Sequence, residues 1–138
     1  MQHILLLALV SLCSCASIRD QAVGVFGRLM CGDKPAVNVT VKLWEEDIGP
    51  DPDDLLDEGY TDKGGEFKLQ VTESELTNID PVFKVYHDCN DEQLPGLRKV
   101  RFRIPSQYIA SGKTPTRLFH IGVLNLETIF AEEERRFL

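Results

Sequence analysis

Beyond residue 16 the chain has no apolar run approaching the roughly 18 residues of a membrane span, so that part predicts no transmembrane helix. Basic residues are in the minority: 15 Lys and Arg against 22 Asp and Glu leave a formal charge of −7. Nucleic-acid binding needs a basic footprint to displace counterions from a polyanion, and this balance argues against it. Histidine is scarce, with three in all, and no cysteine falls in a C-x-x-C pair. Ordinary zinc and dithiol redox motifs are therefore excluded, and neither a metal nor a cofactor is expected. Internal repeats and low-complexity linkers are also missing. The 138 residues suffice for one domain that buries about two-thirds of its unfolded surface.

The apolar residues that do cluster stand at the start. Ile4 to Val10 form a short apolar core, followed by Ser11-Leu12-Cys13-Ser14-Cys15-Ala16. Ser14 and Ala16 fit the small-residue pattern ahead of a cleavage point, so residues 1–16 read as a signal peptide and the protein as secreted and extracellular. Cys13 and Cys15 leave with that segment, and Cys31 and Cys89 remain. An even pair in an oxidising compartment reads as a disulfide. It would close a loop of about 58 residues, worth roughly 4 kcal/mol of chain entropy. Two unrelated buried thiols are the alternative. Asn38-Val39-Thr40 is the one glycosylation sequon, which makes Asn38 a candidate modification site.

Period-two alternation dominates the rest. Val37, Val39, Val41 and Leu43 alternate with polar residues, as do Phe67, Leu69 and Val71, and then Val100, Phe102 and Ile104. Each pattern predicts a strand with one face in a core and one in water. Val23–Met30, Gly59–Asp62, Pro81–His87 and Arg117–Leu126 are further strands, separated by Gly-, Asp- and Pro-bearing turns. About seven short strands at this spacing predict an all-β antiparallel sandwich. Two helices are expected as well: one near residues 73–79, from the capping box Thr72-Glu73-Ser74-Glu75, and one near the C-terminus, from the spacing of Leu126, Ile129 and Phe130. Glu45–Glu58 holds eight carboxylates and no Lys or Arg, but it lacks the Gly and closing Glu of a calcium loop. It reads as a solvated connection. On the last alternating stretch, Lys99, Arg101 and Arg103 fall on one face of a strand, with Arg98 beside them. That strip is a candidate anion-binding site, and cross-strand pairing with carboxylates is its structural alternative.

Read in order, Gly27-Arg28-Leu29-Met30-Cys31, Lys34-Pro35-Ala36-Val37, Thr61-Asp62-Lys63-Gly64-Gly65-Glu66-Phe67, Val85-Tyr86-His87-Asp88-Cys89, Ile104-Pro105-Ser106 and Ile121-Gly122-Val123-Leu124-Asn125-Leu126 resemble the nematode transthyretin-like family. The resemblance spans Val23 to Phe130 and implies a transthyretin-like, prealbumin-type β-sandwich over residues 17–138. It also implies that strand Val37–Trp44 lies antiparallel to Pro81–His87, which would bring Cys31 and Cys89 together.

The same fold hosts 5-hydroxyisourate hydrolase, but Phe26 stands where that enzyme family has its first-strand histidine. The chain also closes on Arg135-Arg136-Phe137-Leu138 instead of Tyr-Arg-Gly-Ser. A phenyl ring moves no proton, so no enzyme activity is expected. One characterised relative bridges phosphatidylserine on dying cells to a phagocyte receptor. The resemblance thus implies extracellular recognition, with an anionic lipid headgroup or a cell-surface receptor as partner. Carriage of a small apolar ligand is the alternative, and it depends on a tetramer that nothing in these residues specifies.

Overall fold

The computed structural model describes residues 18–46, 52–75 and 77–137. The expected signal peptide lies outside them, as does Leu76 of the expected helix. Among the described residues the chain forms β1 (Arg19–Cys31), β2 (Lys34–Pro35), β3 (Thr40–Glu45), β4 (Asp54–Tyr60), β5 (Glu66–Glu75), β6 (Pro81–His87), β7 (Leu97–Arg103), β8 (Ala110–Ser111), β9 (Phe119–Asn125) and β10 (Glu134–Arg136). The seven longer strands fall at the seven expected stretches, except that β4 runs Asp54–Tyr60 where a strand over Gly59–Asp62 is expected, so the two share only Gly59 and Tyr60. One sheet is organised by β1, which pairs with β5 and β2 along one edge and with β8 and β9 along the other. The β1–β9 pairing is parallel, a departure from the antiparallel expectation. The second sheet runs β10-β7-β6-β3-β4 and is antiparallel throughout.

The core lies between the sheets. Val23, Val25 and Leu29 from β1, with Phe67 and Leu69 from β5, meet Val41, Leu43, Phe83, Val85 and Val100 of the second sheet. Phe67 and Phe83 stack across the gap with ring centroids 4.7 Å apart. Burying each large apolar side chain is worth about 1.5–3 kcal/mol, and strict alternation turns the intervening residues outward. The hairpin into β5 is built by Asp62, whose Oδ1 accepts the N–H groups of Gly64 and Glu66. Gly65 has φ +76°, and a Cβ there would lie 2.3 Å from the Leu29 carbonyl oxygen, so the turn requires glycine.

Neither expected helix forms. β5 continues to Glu75 because Thr72–Glu75 pair with Arg19–Ala22 of β1, while the Thr72 hydroxyl donates to the Lys113 carbonyl instead of capping a helix. A ladder satisfies backbone groups that a one-turn helix leaves orphaned. At the C-terminus, Leu126 is fully buried and Ile129 is 81% exposed, so the helical spacing presents no common face. The chain turns and pairs β10 to β7 instead. The acidic stretch is not a plain connection either. Glu45 ends β3 with 4% exposure, and Asp54–Glu58 belong to β4. Val37 sits in a turn and is 52% exposed, so that strand begins at Thr40. Cys31 and Cys89, 58 residues apart, are bonded, with Cα atoms separated by 5.8 Å.

Candidate functional site

The outward residues of β3, β4, β6, β7 and β10 form one surface. Register places Arg101, Lys84, Lys42 and Glu58 in a row across four strands, with Lys99, Tyr86, Thr40 and Tyr60 in the next. Neighbouring strands are about 4.8 Å apart, so Arg101, Lys84 and Lys42 are close enough to repel unless something offsets them. Two things do. Lys42 and Lys84 lie over aromatic faces, Lys84 Nζ 5.2 Å from the Trp44 ring and Lys42 Nζ 5.2 Å from Tyr86. Glu46, just past β3, reaches across the row: it bonds Lys84 at 2.9 Å and Arg101, and stands 4.0 Å from Arg103. Burial pushes the Glu46 carboxyl up, but the Lys84 hydrogen bond and the charges of Lys84, Arg101 and Arg103 outweigh it and hold the group below its ordinary value.

Lys99, Arg101 and Arg103 therefore do share a face, as alternation requires, and each has a carboxylate near. Lys99 pairs with Glu134 of β10 at 3.2 Å. The cations still outnumber their partners. Lys42, Lys84, Lys99, Arg101, Arg103 and Arg136 face Glu46, Glu58 and Glu134 among the described residues.

Arg98 belongs to the other face. Its guanidinium turns inward beside the disulfide, donating to the carbonyls of Cys89, Leu126 and Thr128 at 3.0 Å each, and it pairs with Glu133. Burial raises the Glu133 carboxyl, while the Arg98 hydrogen bond and the Phe130 N–H bring it net below the ordinary value. Next to it, His87 is 3% exposed and its Nδ1 accepts the Cys89 N–H at 3.0 Å. Burial, followed by the Arg98 charge, lowers the His87 pKa to about 4. The imidazole is thus neutral and acts as an acceptor in the frame around Cys89. Asp88 is exposed, on the opposite side.

The outer face of the β1 sheet carries a second feature. Phe26 stacks on His120 with centroids 4.3 Å apart, at one side of a cavity of about 650 Å³. Arg28, Asp62, Glu66 and Lys68 also line it. The segment between β8 and β9 reaches the same sheet at Leu118. Leu118 packs so close to Gly24 that a Cβ there would meet it at 2.4 Å. Sequence reading missed the His120 stack because it depends on the parallel register of β9 with β1.

Asn38 is exposed in the turn before β3, at φ 58°. Carboxylates of Glu45, Asp54 and Glu75 converge within 4.8 Å of one another where three strands end. Only pairing of β3 with β4 and the extension of β5 bring them together, so the loop-based search for a calcium motif passes over them.

A sequence profile of the transthyretin-like family matches residues 26–105. Transthyretin-like protein 46 of Caenorhabditis elegans is 62% identical over 136 residues, 98% of this chain and 75% of its own length. Transthyretin-like protein 33 of the same organism is 46% identical, covering 93% of this chain and 91% of its own length. Transthyretin-like protein 5, also from that organism, is 43% identical with 98% and 97% covered. Among solved structures, a 9R-lipoxygenase from Cyanothece aligns over 79% of this chain and 16% of its own at 21% identity and a TM-score of 0.40, too low to support an argument.

Proposed function

The chain belongs to the transthyretin-like family, and from that premise we propose that it is a secreted recognition protein that binds an anionic surface group through the outer face of the β10-β7-β6-β3-β4 sheet. The observation that carries this reading is the concentration of six cations, Lys84 among them only 6% exposed, against three carboxylates on one face of a chain whose net charge is −7. Glu46 moderates the face, because it occupies Arg101 until an external anion replaces it, while its bond to Lys84, a residue 6% exposed, is shielded from solvent. Phosphatidylserine headgroups are the ligand chemistry that a cation row of this kind would meet on a cell surface. A receptor would then engage another part of the molecule. In the same reading residues 1–16 are removed on secretion, Asn38 carries a glycan, and the protein performs no catalysis. His87 is enclosed, and His120 is stacked on Phe26.

Carriage of a small molecule is the second reading, favoured by the cavity of about 650 Å³ beside Phe26. Four charged residues in its lining suit an apolar ligand poorly.

Sedimentation with phosphatidylcholine vesicles, with and without phosphatidylserine, tests the first reading. Binding is expected only to the acidic vesicles and should weaken steeply with salt, because screening acts within about 8–10 Å. Glu46→Gln should strengthen it, and the Arg101→Gln, Arg103→Gln double variant should weaken it. Equal binding to both vesicle types, or unchanged binding by a folded double variant, would reject the proposal.

A further inference from the structure

The same face ends, on the side away from Glu46, in a cavity of about 270 Å³. Its floor is Thr40, which pairs with Tyr86 of β6 on one side and Tyr60 of β4 on the other. A small residue between two tyrosines makes a slot. The flanking strands are two sheet spacings apart, about 9.6 Å, and Lys42 Nζ stands over the Tyr86 ring, 5.2 Å from its centroid, so the more open aromatic surface is that of Tyr60. Tyr86 is 9% exposed and Tyr60 66%, so one wall is fixed and the other open to solvent.

Two cations stand at this slot. Arg136 is exposed and forms no ion pair among the described residues. Pairing of β10 with β7 sets it opposite Leu97. Lys42 has Glu58 only at 3.9 Å. Both lie beyond the reach of Glu46, whose partners are Lys84, Arg101 and Arg103. The slot therefore combines an open tyrosine with two cations, Arg136 without an ion pair among the described residues and Lys42 held only at 3.9 Å by Glu58, which also lines the cavity.

We propose that this slot binds a small aromatic oxyanion, an aryl sulfonate, sulfate or carboxylate. Its ring stacks on Tyr60, beside Tyr86, and its charged group is held by Arg136 and Lys42. The volume supports a ligand of one or two rings, because it falls below the roughly 300–1,000 Å³ of drug-sized pockets. This inference rests on the reading of the face as an anion-recognition surface, and it names the ligand class for one end of it.

Titration calorimetry with 2-naphthalenesulfonate provides the test, with inorganic sulfate and neutral 2-naphthol as controls. The sulfonate should bind about tenfold or more tightly than either control, since stacking and charge each contribute on the order of one decade. Arg136→Gln and Tyr60→Ala, both at exposed positions, should each weaken it about tenfold without moving the melting temperature. Sulfate binding as tightly as the sulfonate would overturn the aromatic half, and naphthol doing so would overturn the charged half. Unchanged affinity in both variants would overturn the location. The vesicle experiment reads separately: sulfonate binding without vesicle binding removes the membrane reading and leaves the slot, and the reverse removes the slot.

Discussion

Arg98 and Arg101 stand three residues apart on β7, and the strand turns them to opposite faces with opposite consequences. Arg98 is 8% exposed and spends its donors on three carbonyls and Glu133, all inside the molecule. Arg101 keeps 28% of its side chain exposed and is paired with a Glu46 carboxylate that it shares with Lys84. A buried ion pair that loses one partner leaves a charge without solvent, whereas a surface pair that loses one partner is rehydrated. The first arrangement holds structure together. The second can exchange partners, which is what recognition requires.

The largest expected effect tests the inner face. Arg98→Ala strands Glu133 and three carbonyls, and should destabilise the fold by about 3–5 kcal/mol in urea denaturation. A loss under about 1 kcal/mol would erase the distinction between the two arginines.

Acid sharpens the same contrast. His87 has a folded pKa of about 4 against an ordinary 6.5, so below pH 6.5 the unfolded chain takes up a proton that the folded chain refuses. Stability should be complete above about pH 6.5 and fall by up to about 3 kcal/mol as pH drops to about 4. His87→Gln should flatten that part of the profile. Glu133 and Glu46, both held below their ordinary values, add a separate loss at lower pH, as each is protonated in turn. Denaturant midpoints measured from pH 7 to well below pH 4 separate the two phases, and an identical slope in His87→Gln above pH 4 would show that another group titrates there.

The smallest effect belongs to the outer face. Arg101→Gln should change stability by no more than about 1 kcal/mol, as surface pairs generally do. Thermal melting checks it, and a loss as large as that of Arg98→Ala would make the strip structural.

Legibility followed burial. The alternation of Val100, Phe102 and Ile104 located β7 and correctly turned Lys99, Arg101 and Arg103 to one face, because period-two patterning survives any tertiary context that buries one side. It placed Arg98 beside them without assigning its role. Alternation turns Arg98 inward with Val100, and the residues that close the edge of the sandwich there, 126–133, supply the carbonyls and the carboxylate it bonds. The helices expected near residues 73–79 and at the C-terminus failed for a related reason. A capping box and a helical spacing are local signals, and both segments found better-satisfied backbone partners in distant strands. The slot between Tyr60 and Tyr86 could not be read at all, since those residues come from two strands that flank a third.

What the amino-acid order determined by itself was therefore whatever depends on neighbours along the chain: which stretches are strands and which of their faces is apolar. The tertiary structure alone decided which charges meet. The spacing between strands is set by hydrogen-bond ladders, so register, invisible in any one segment, put Glu46 across Arg101 and Lys84 and set Arg136 at the open end of the same face.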